Sequence, residues 1–332
     1  MIISKTPFRI SFFGGGTDYP DWYHQHGGTV LAAGIDKYCY LSCRYLPPFF
    51  DHKYRIVYSN IENVKEISEI QHPSVRAVLD YQQCYKGLEI HHDGDLPARS
   101  GLGSSSSFTV GLLHAISALK GNHISQEELA RQAIHVEQQL IGEQVGSQDQ
   151  ITAALGGFNR IRFFQDGHFS AEPVILSNQR REELQDHLML FFTGLQRNAP
   201  DIAKSKIENL NQRVDELTTM GAMVDEALAI LSSEQRDIGE FGKLLDQSWQ
   251  LKRTLSHKVS TPMIDELYHA AKQAGALGGK LLGAGGGGFF LLFVRPELQS
   301  RVREALSQLI HVPVRFDNGG SKIVLYQPNG LG

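Results

Sequence analysis

Residues 97–107 read Pro-Ala-Arg-Ser-Gly-Leu-Gly-Ser-Ser-Ser-Ser, and this run constrains the chain more than any other stretch. Its two glycines lead directly into a segment where Leu112, Leu113, Ile116 and Leu119 recur at helical spacing. A helix that starts within the serines offers free backbone N–H groups and the positive end of its dipole. Gly101 and Gly103 remove side chains where an anion must approach. The serines add hydroxyl donors, and one of them can reach a divalent cation. The run has the makings of a phosphate cradle. The plainer alternative is a serine-capped helix after a turn, although a cap needs one serine rather than four.

Two more glycine clusters stand out among the 33 glycines of the 332-residue chain. Residues 280–289 place Gly283, Gly285 and Gly288 at G-x-G-x-x-G spacing. A dinucleotide site needs a strand before that pattern and a helix after it. Here the glycines run into the apolar, strand-like residues 289–294, so that site is excluded. A Walker A loop is excluded too, because Gly279-Lys280 is followed by Leu281. The cluster is either a ligand contact or a crowded crossing of backbones. In residues 7–20 a strand delivers Gly14-Gly15-Gly16, with Asp18 just beyond. An ionised Asp accepts two hydrogen bonds and suits sugar hydroxyls, but the same composition also makes an ordinary turn. Glu137 and Asp149 follow the serine run. Phosphoryl transfer needs one carboxylate on Mg²⁺ and often another near the attacking hydroxyl. Each could instead be a solvated charge on a helix face.

The remaining chain sets the frame. Strands are expected at 8–13, 29–35, 38–45, 54–58, 87–91, 158–164 and 168–174, and helices at 73–85, from the serine run to 119, at 125–142 and from 149 to 156. Ser125 with Glu128 reads as a capping box, and the stripe of that helix is Leu129, Ala133, Val136 and Leu140. Composition turns polar at 176–186, which places a boundary between segments 1–180 and 181–332. The second segment reads as a strand at 188–192, helices at 199–231, 238–255 and 262–274, a glycine-rich turn, a strand at 289–294, a helix at 296–309 and strands at 312–316 and 323–326. The fold class is α+β. Net charge is −4 with no long basic run, which argues against a nucleic-acid partner. The longest apolar stretch, 288–294, is too short to span a bilayer. Cys39, Cys43 and Cys84 lack metal spacing and read as buried free thiols. With no signal-like amino terminus, a cytoplasmic protein without a membrane partner is expected.

Taken in order, these motifs resemble the GHMP kinases, the family of galactokinase, homoserine kinase and mevalonate kinase. The P-x-x-x-G-L-G-S-S pattern appears at Pro97 to Ser105, the first motif at 7–19 and the third at 280–289. The resemblance implies a ribosomal-protein-like N-terminal α/β domain and a ferredoxin-like C-terminal domain, with the site between them. It implies ATP and Mg²⁺ as cofactors, a small sugar or sugar phosphate as partner, and a monomer or homodimer. ATP would be held by Pro97, Ser100, Gly101, Leu102, Gly103, Ser104, Ser105, Ser106 and Ser107, and Mg²⁺ by Ser105 and Glu137. Asp149 would be the catalytic carboxylate, with Arg9 near the transferred phosphate. Asp18, Gly15, Gly16, Thr17, Gly285 and Gly286 would meet the acceptor. Galactokinases carry Glu and His where this chain has Gly15 and Gly16, which argues against plain galactose. The first motif is most similar to the branch that phosphorylates D-glycero-D-manno-heptose 7-phosphate, giving the 1,7-bisphosphate. A fucokinase, another kinase of the family, or a non-catalytic sugar sensor are the alternatives. Arg197, Lys204, Lys252, Arg253 and Lys258 are candidate cations for the acceptor's own phosphate.

Overall fold

Alternating burial along residues 2–6, then continuous burial to Phe13, makes β1 (Ile2–Phe13) the inner strand of the larger sheet. In this computed structural model, residues 1–98, 100–194, 213–256 and 258–328 are described. β1 is followed by α1 (Pro20–His26), β2 (Gly28–Tyr45), β3 (Tyr54–Val57), β4 (Ile61–Val64), α2 (Pro73–Tyr81) and β5 (Leu88–Gly94). Next come α3 (Ser104–Leu119), α4 (Gln126–His135), α5 (Gln148–Leu155), β6 (Phe158–Phe163) and β7 (Phe169–Pro173). The later elements are α6 (Asn178–Asp186), β8 (Leu188–Phe192), α7 (Val214–Ser232), α8 (Gly239–Thr254), α9 (Pro262–Ala274), β9 (Ala276–Leu281) and β10 (Phe289–Val294). The described chain closes with α10 (Gln299–Ala305), β11 (Ile310–Val312) and β12 (Lys322–Tyr326).

The larger sheet runs β12-β1-β2-β5-β3-β4, with β6 on β2 and β7 on β6; the smaller runs β11-β8-β10-β9. α3 packs on β1 and β2, and α8 packs on β9. The buried clusters of the two sheets place apolar faces of strands and helices against each other, as the α+β reading requires. All three cysteines are buried and free. No helix among the described residues is long and apolar enough to cross a membrane.

Several elements differ from the sequence reading. The two strands expected at 29–35 and 38–45 are one strand, β2, whose register against β1 shifts between Pro7 and Arg9, so Asp36 and Lys37 sit at an irregularity rather than a turn. α4 does not continue straight through Leu140. Residues Val136–Ile141 form a π-helical segment, which turns the stripe and leaves Leu140 exposed. Ser125 does cap α4, accepting from the Glu128 amide at 3.2 Å. The polar stretch at 176–186 is the helix α6, and α1, β4 and β9 were not expected. β9 reads as a turn because of Gly278 and Gly279, yet a Cβ on Gly278 would stand 1.9 Å from the Gly242 carbonyl oxygen of α8. The glycine is there so that a helix can lie on the strand. β12 returns to the larger sheet beside β1, so the end of the second segment is built into the first. The start of the helix expected at 199–231 lies outside the described residues.

Candidate active site

β1 carries Arg9 into the site, and α5 carries Asp149 to meet it. Arg9 donates Nε to Asp149 Oδ1 and Nη2 to Asp149 Oδ2, both at 2.7 Å, the parallel fork of a bidentate pair. Its Nη1 donates to the Gly101 carbonyl at 2.7 Å, and its backbone N–H donates to the Leu102 carbonyl at 3.0 Å. Arg9 thus ties Asp149 to the glycine-serine loop. A Cβ on Gly103 would sit 3.2 Å from Arg9 Cγ and 3.4 Å from Asp149 Oδ2, so the loop runs directly over this pair.

The start of α3 decides between cradle and simple cap. Its N-cap is Gly103, left-handed at φ 73°, which has no side chain to cap with. The serines lie inside the helix instead. Ser107 donates to the Pro7 carbonyl at 2.8 Å, Ser106 donates to Glu137 Oε2 at 2.9 Å, and Ser105 is exposed. Ser100 Oγ is buried without a hydrogen-bond partner. A glycine-led first turn without a side-chain cap is a ready anion site.

Glu137 lies in the π-helical segment and is 1% exposed. Its Oε2 also accepts from Gln150, while Oε1 has no hydrogen-bond partner. Burial pushes its carboxyl up to about 7, reinforced by Glu143, while Thr109, Ser106 and Gln150 pull the other way. Among the described residues no group of three or more His, Cys, Asp or Glu side chains gathers as a metal site. A single buried carboxylate with an unsatisfied oxygen beside a serine-rich helix start still fits Mg²⁺, which takes hard oxygen ligands and completes its shell with water and phosphate.

Asp18 closes the acceptor side. It is 2% exposed; Oδ1 accepts from the Gly16 amide and Oδ2 from Gln148 Nε2, both at 2.9 Å. Burial raises its carboxyl, and nearby Asp149 adds to that, while the Gly16 and Gln148 hydrogen bonds oppose it. Thr17 is structural, since its hydroxyl donates to the Gly14 and Thr29 carbonyls at 2.9 Å. Gly16 faces Leu217, at 2.8 Å from a notional Cβ, whereas Gly15 faces Ser11 and Gln148 at 3.5 and 3.8 Å.

The third glycine cluster supports the cradle from behind. A Cβ on Gly283 would lie 2.5 Å from Gly101 Cα, and one on Gly288 would lie 2.2 Å from the Ser100 carbonyl oxygen. Gly285 packs on Val259, and the Gly286 amide donates to the Val259 carbonyl at 2.9 Å, so these contacts are with Val259 rather than an open acceptor face. Lys280 Nζ donates to the Phe12 carbonyl at 2.8 Å and bridges this cluster to the end of β1. Lys252, a candidate cation for the acceptor's phosphate, is 5% exposed and donates to the Leu281 and Gly283 carbonyls at 2.7 and 2.6 Å, so its ammonium braces backbone. Arg253 pairs with Asp265 at 2.8 Å, and Lys258 is exposed. Arg197 and Lys204 lie outside the described residues.

Sequence reasoning passed over Gln148 and Gln150. Both glutamines flank Asp149, but their roles depend on Asp18 and Glu137 arriving from other elements.

Residues 70–157 match the GHMP kinases N terminal domain, and residues 225–311 match GHMP kinases C terminal. The chain is 30% identical to D-glycero-alpha-D-manno-heptose 7-phosphate kinase of Campylobacter jejuni, over 92% of this chain and 93% of that one. It is 28% identical to mevalonate kinase of Thermococcus sibiricus, over 94% and 95%. The solved D-glycero-D-manno-heptose 1-phosphate kinase from Bacteroides thetaiotaomicron shares the fold at a TM-score of 0.79 and 24% identity, covering 97% of this chain and 98% of that one. With both domains matched and a relative of that identity spanning nearly the whole length, the chain belongs to the GHMP kinases.

Proposed function

We propose that this enzyme transfers the γ-phosphate of ATP to the anomeric hydroxyl of D-glycero-D-manno-heptose 7-phosphate, giving the 1,7-bisphosphate. The observation that carries this reading is the Arg9–Asp149 fork set against the glycine-led start of α3, with Asp18 in the same cluster. The full-length similarity to a heptose 7-phosphate kinase and the side-chain-free Gly15 support the choice of acceptor.

The first-turn amides of α3 and the loop from Gly101 to Ser107 receive the ATP phosphates. Glu137 and Ser105 would hold Mg²⁺, which when bound neutralises phosphate charge. An ionised carboxylate has about four lone-pair sites, so Asp149 can accept from Arg9 and still accept from the acceptor hydroxyl. That hydroxyl oxygen attacks the γ-phosphorus, the bond to the β,γ-bridging oxygen breaks, and ADP leaves with the electron pair. The hydroxyl proton passes to Asp149 or to solvent. Arg9 stabilises the charge spread over the moving phosphoryl group. Asp18 accepts from another sugar hydroxyl and fixes the ring. Lys258 is the exposed cation among the described candidates for the 7-phosphate.

ADP release with heptose 7-phosphate, fucose, galactose, mannose and mevalonate tests the proposal. Turnover confined to heptose 7-phosphate supports it. Turnover confined to an unphosphorylated acceptor discards the heptose assignment, and silence with every acceptor discards the catalytic reading.

A further inference from the structure

Gln148, the first residue of α5, is 8% exposed and sits beside Asp149 in sequence, but its side chain turns to Asp18. Asp18 presents acceptor oxygens, so the amide must face it with Nε2, at 2.9 Å. The other end of the amide, Oε1, is then left buried with no hydrogen-bond partner. Few buried amide oxygens in a folded protein stay unsatisfied, and those that do call for a reason. The surroundings suggest one. Gly15 brings bare backbone beside this amide, where a Cβ would meet Ser11 Oγ and Gln148 Nε2 at 3.5 and 3.8 Å, ordinary contact distances. A Cβ on Gly146 would stand 2.0 Å from Asp18 Oδ2, the oxygen that also accepts from Gln148, so the carboxylate packs on bare backbone beside the amide.

We propose that Gln148 is a second acceptor-site residue: Nε2 holds Asp18 in place, and Oε1 accepts a hydrogen bond from a hydroxyl of the polyhydroxylated acceptor. The inference rests on the sugar-kinase reading for its ligand, but not for the contact between Gln148 and Asp18. One amide thereby ties two recognition elements together, so a sugar must offer hydroxyls to both at once.

Gln148→Met keeps an unbranched side chain of similar length and removes both hydrogen-bonding ends. It is expected to raise the acceptor KM about 10- to 100-fold, the loss of one or two hydrogen bonds, with the ATP KM unchanged within about twofold. A merely structural role would move both constants together. In a series of singly deoxygenated acceptors, one should show a wild-type penalty that disappears in the variant, which marks the hydroxyl that Oε1 receives. Carbon-13 NMR of the Asp18 carboxyl in substrate-free protein is an independent arm. Asp149, Tyr19 and Tyr23 face Asp18 from the neighbouring segments, with Arg9 paired to Asp149, and all are retained in the variant. Removing the Gln148 donor should therefore move the Asp18 midpoint upward. If Gln148→Met does not fold, Gln148→Leu, which also lacks both hydrogen-bonding ends, carries the same expectations. An unchanged acceptor KM in an active enzyme, or an unchanged Asp18 midpoint, overturns the proposal. Silence of the wild type with every acceptor would instead count against the sugar-kinase reading, and the Asp18 titration would still decide the contact.

Discussion

On the phosphate side of the site, Gly283 lies against Gly101 and Gly288 against Ser100, so two backbones touch where side chains would normally stand. On the acceptor side, Asp149 and Asp18 are held by an arginine fork and by neutral donors, with the bare backbone of Gly15 beside them. The first side is shaped by close approach of main chain, the second by placement of charge. Each should therefore fail in its own way. Added volume should damage the cradle and spare the carboxylates, and a change of charge should stop the chemistry and spare the fold.

Asp149→Asn gives the largest expected effect. The amide keeps the size but presents an N–H₂ donor to one branch of the Arg9 fork, and turnover should fall about 10²- to 10⁴-fold with ATP affinity largely intact. A variant that keeps half its rate would remove Asp149 from the mechanism.

Gly283→Val tests the other side. Gly283 has φ 69°, and its Cβ would meet Gly101 Cα at 2.5 Å, so strain and overpacking add. We expect a loss of about 2–5 kcal/mol in stability, read by thermal or urea unfolding, together with weaker ATP binding. An unchanged melting temperature would show that the two loops do not depend on each other.

Glu137 sharpens the contrast, because it is a buried charge on the cradle side. Its carboxyl is raised from 4.5 to about 7, so the folded state binds its proton more tightly than the unfolded chain does. Its contribution is fully present below pH 4.5 and is lost as the pH rises through about 7. The whole span corresponds to about 3 kcal/mol at most. Glu137→Gln should flatten that part of the stability profile, and added Mg²⁺ should shift the wild-type profile toward lower pH by binding the ionised form. A wild-type profile with the same slope as the variant would contradict the assignment.

Gly15→Ala should have the smallest effect. The added methyl would meet Ser11 and Gln148 at ordinary contact distances, so the melting temperature should stay put. The acceptor KM should rise by a few-fold with no change for ATP. A fall in stability comparable to that of Gly283→Val would erase the distinction between the two sides.

Much of this site is legible in the sequence because its parts are local. The glycine-serine run, Asp18 beyond its glycines, and Asp149 opening a helix all advertise themselves within a few residues. What is not legible depends on elements meeting. Gly278 and Gly279 look like a turn and are a strand under a helix. Leu140 keeps the helical stripe on paper, but the π-helical segment turns it outward, and that same segment carries Glu137. Lys252 reads as a candidate cation for the acceptor's phosphate and is tied to the carbonyls of Leu281 and Gly283. Gln148 gives no local signal, since its importance comes from Asp18, far away in sequence. The return of β12 to β1 is likewise set by a partner at the opposite end of the chain.

Phosphorus-31 NMR of a reaction containing the enzyme, heptose 7-phosphate, ATP and Mg²⁺ tests the phosphoryl transfer most directly. The γ-phosphate signal of ATP should decay while a second sugar-ester phosphorus appears, coupled to the anomeric proton, and Asp149→Asn should leave both signals still over the same period. Decay of ATP with only inorganic phosphate formed, or a new ester at another carbon, would contradict it.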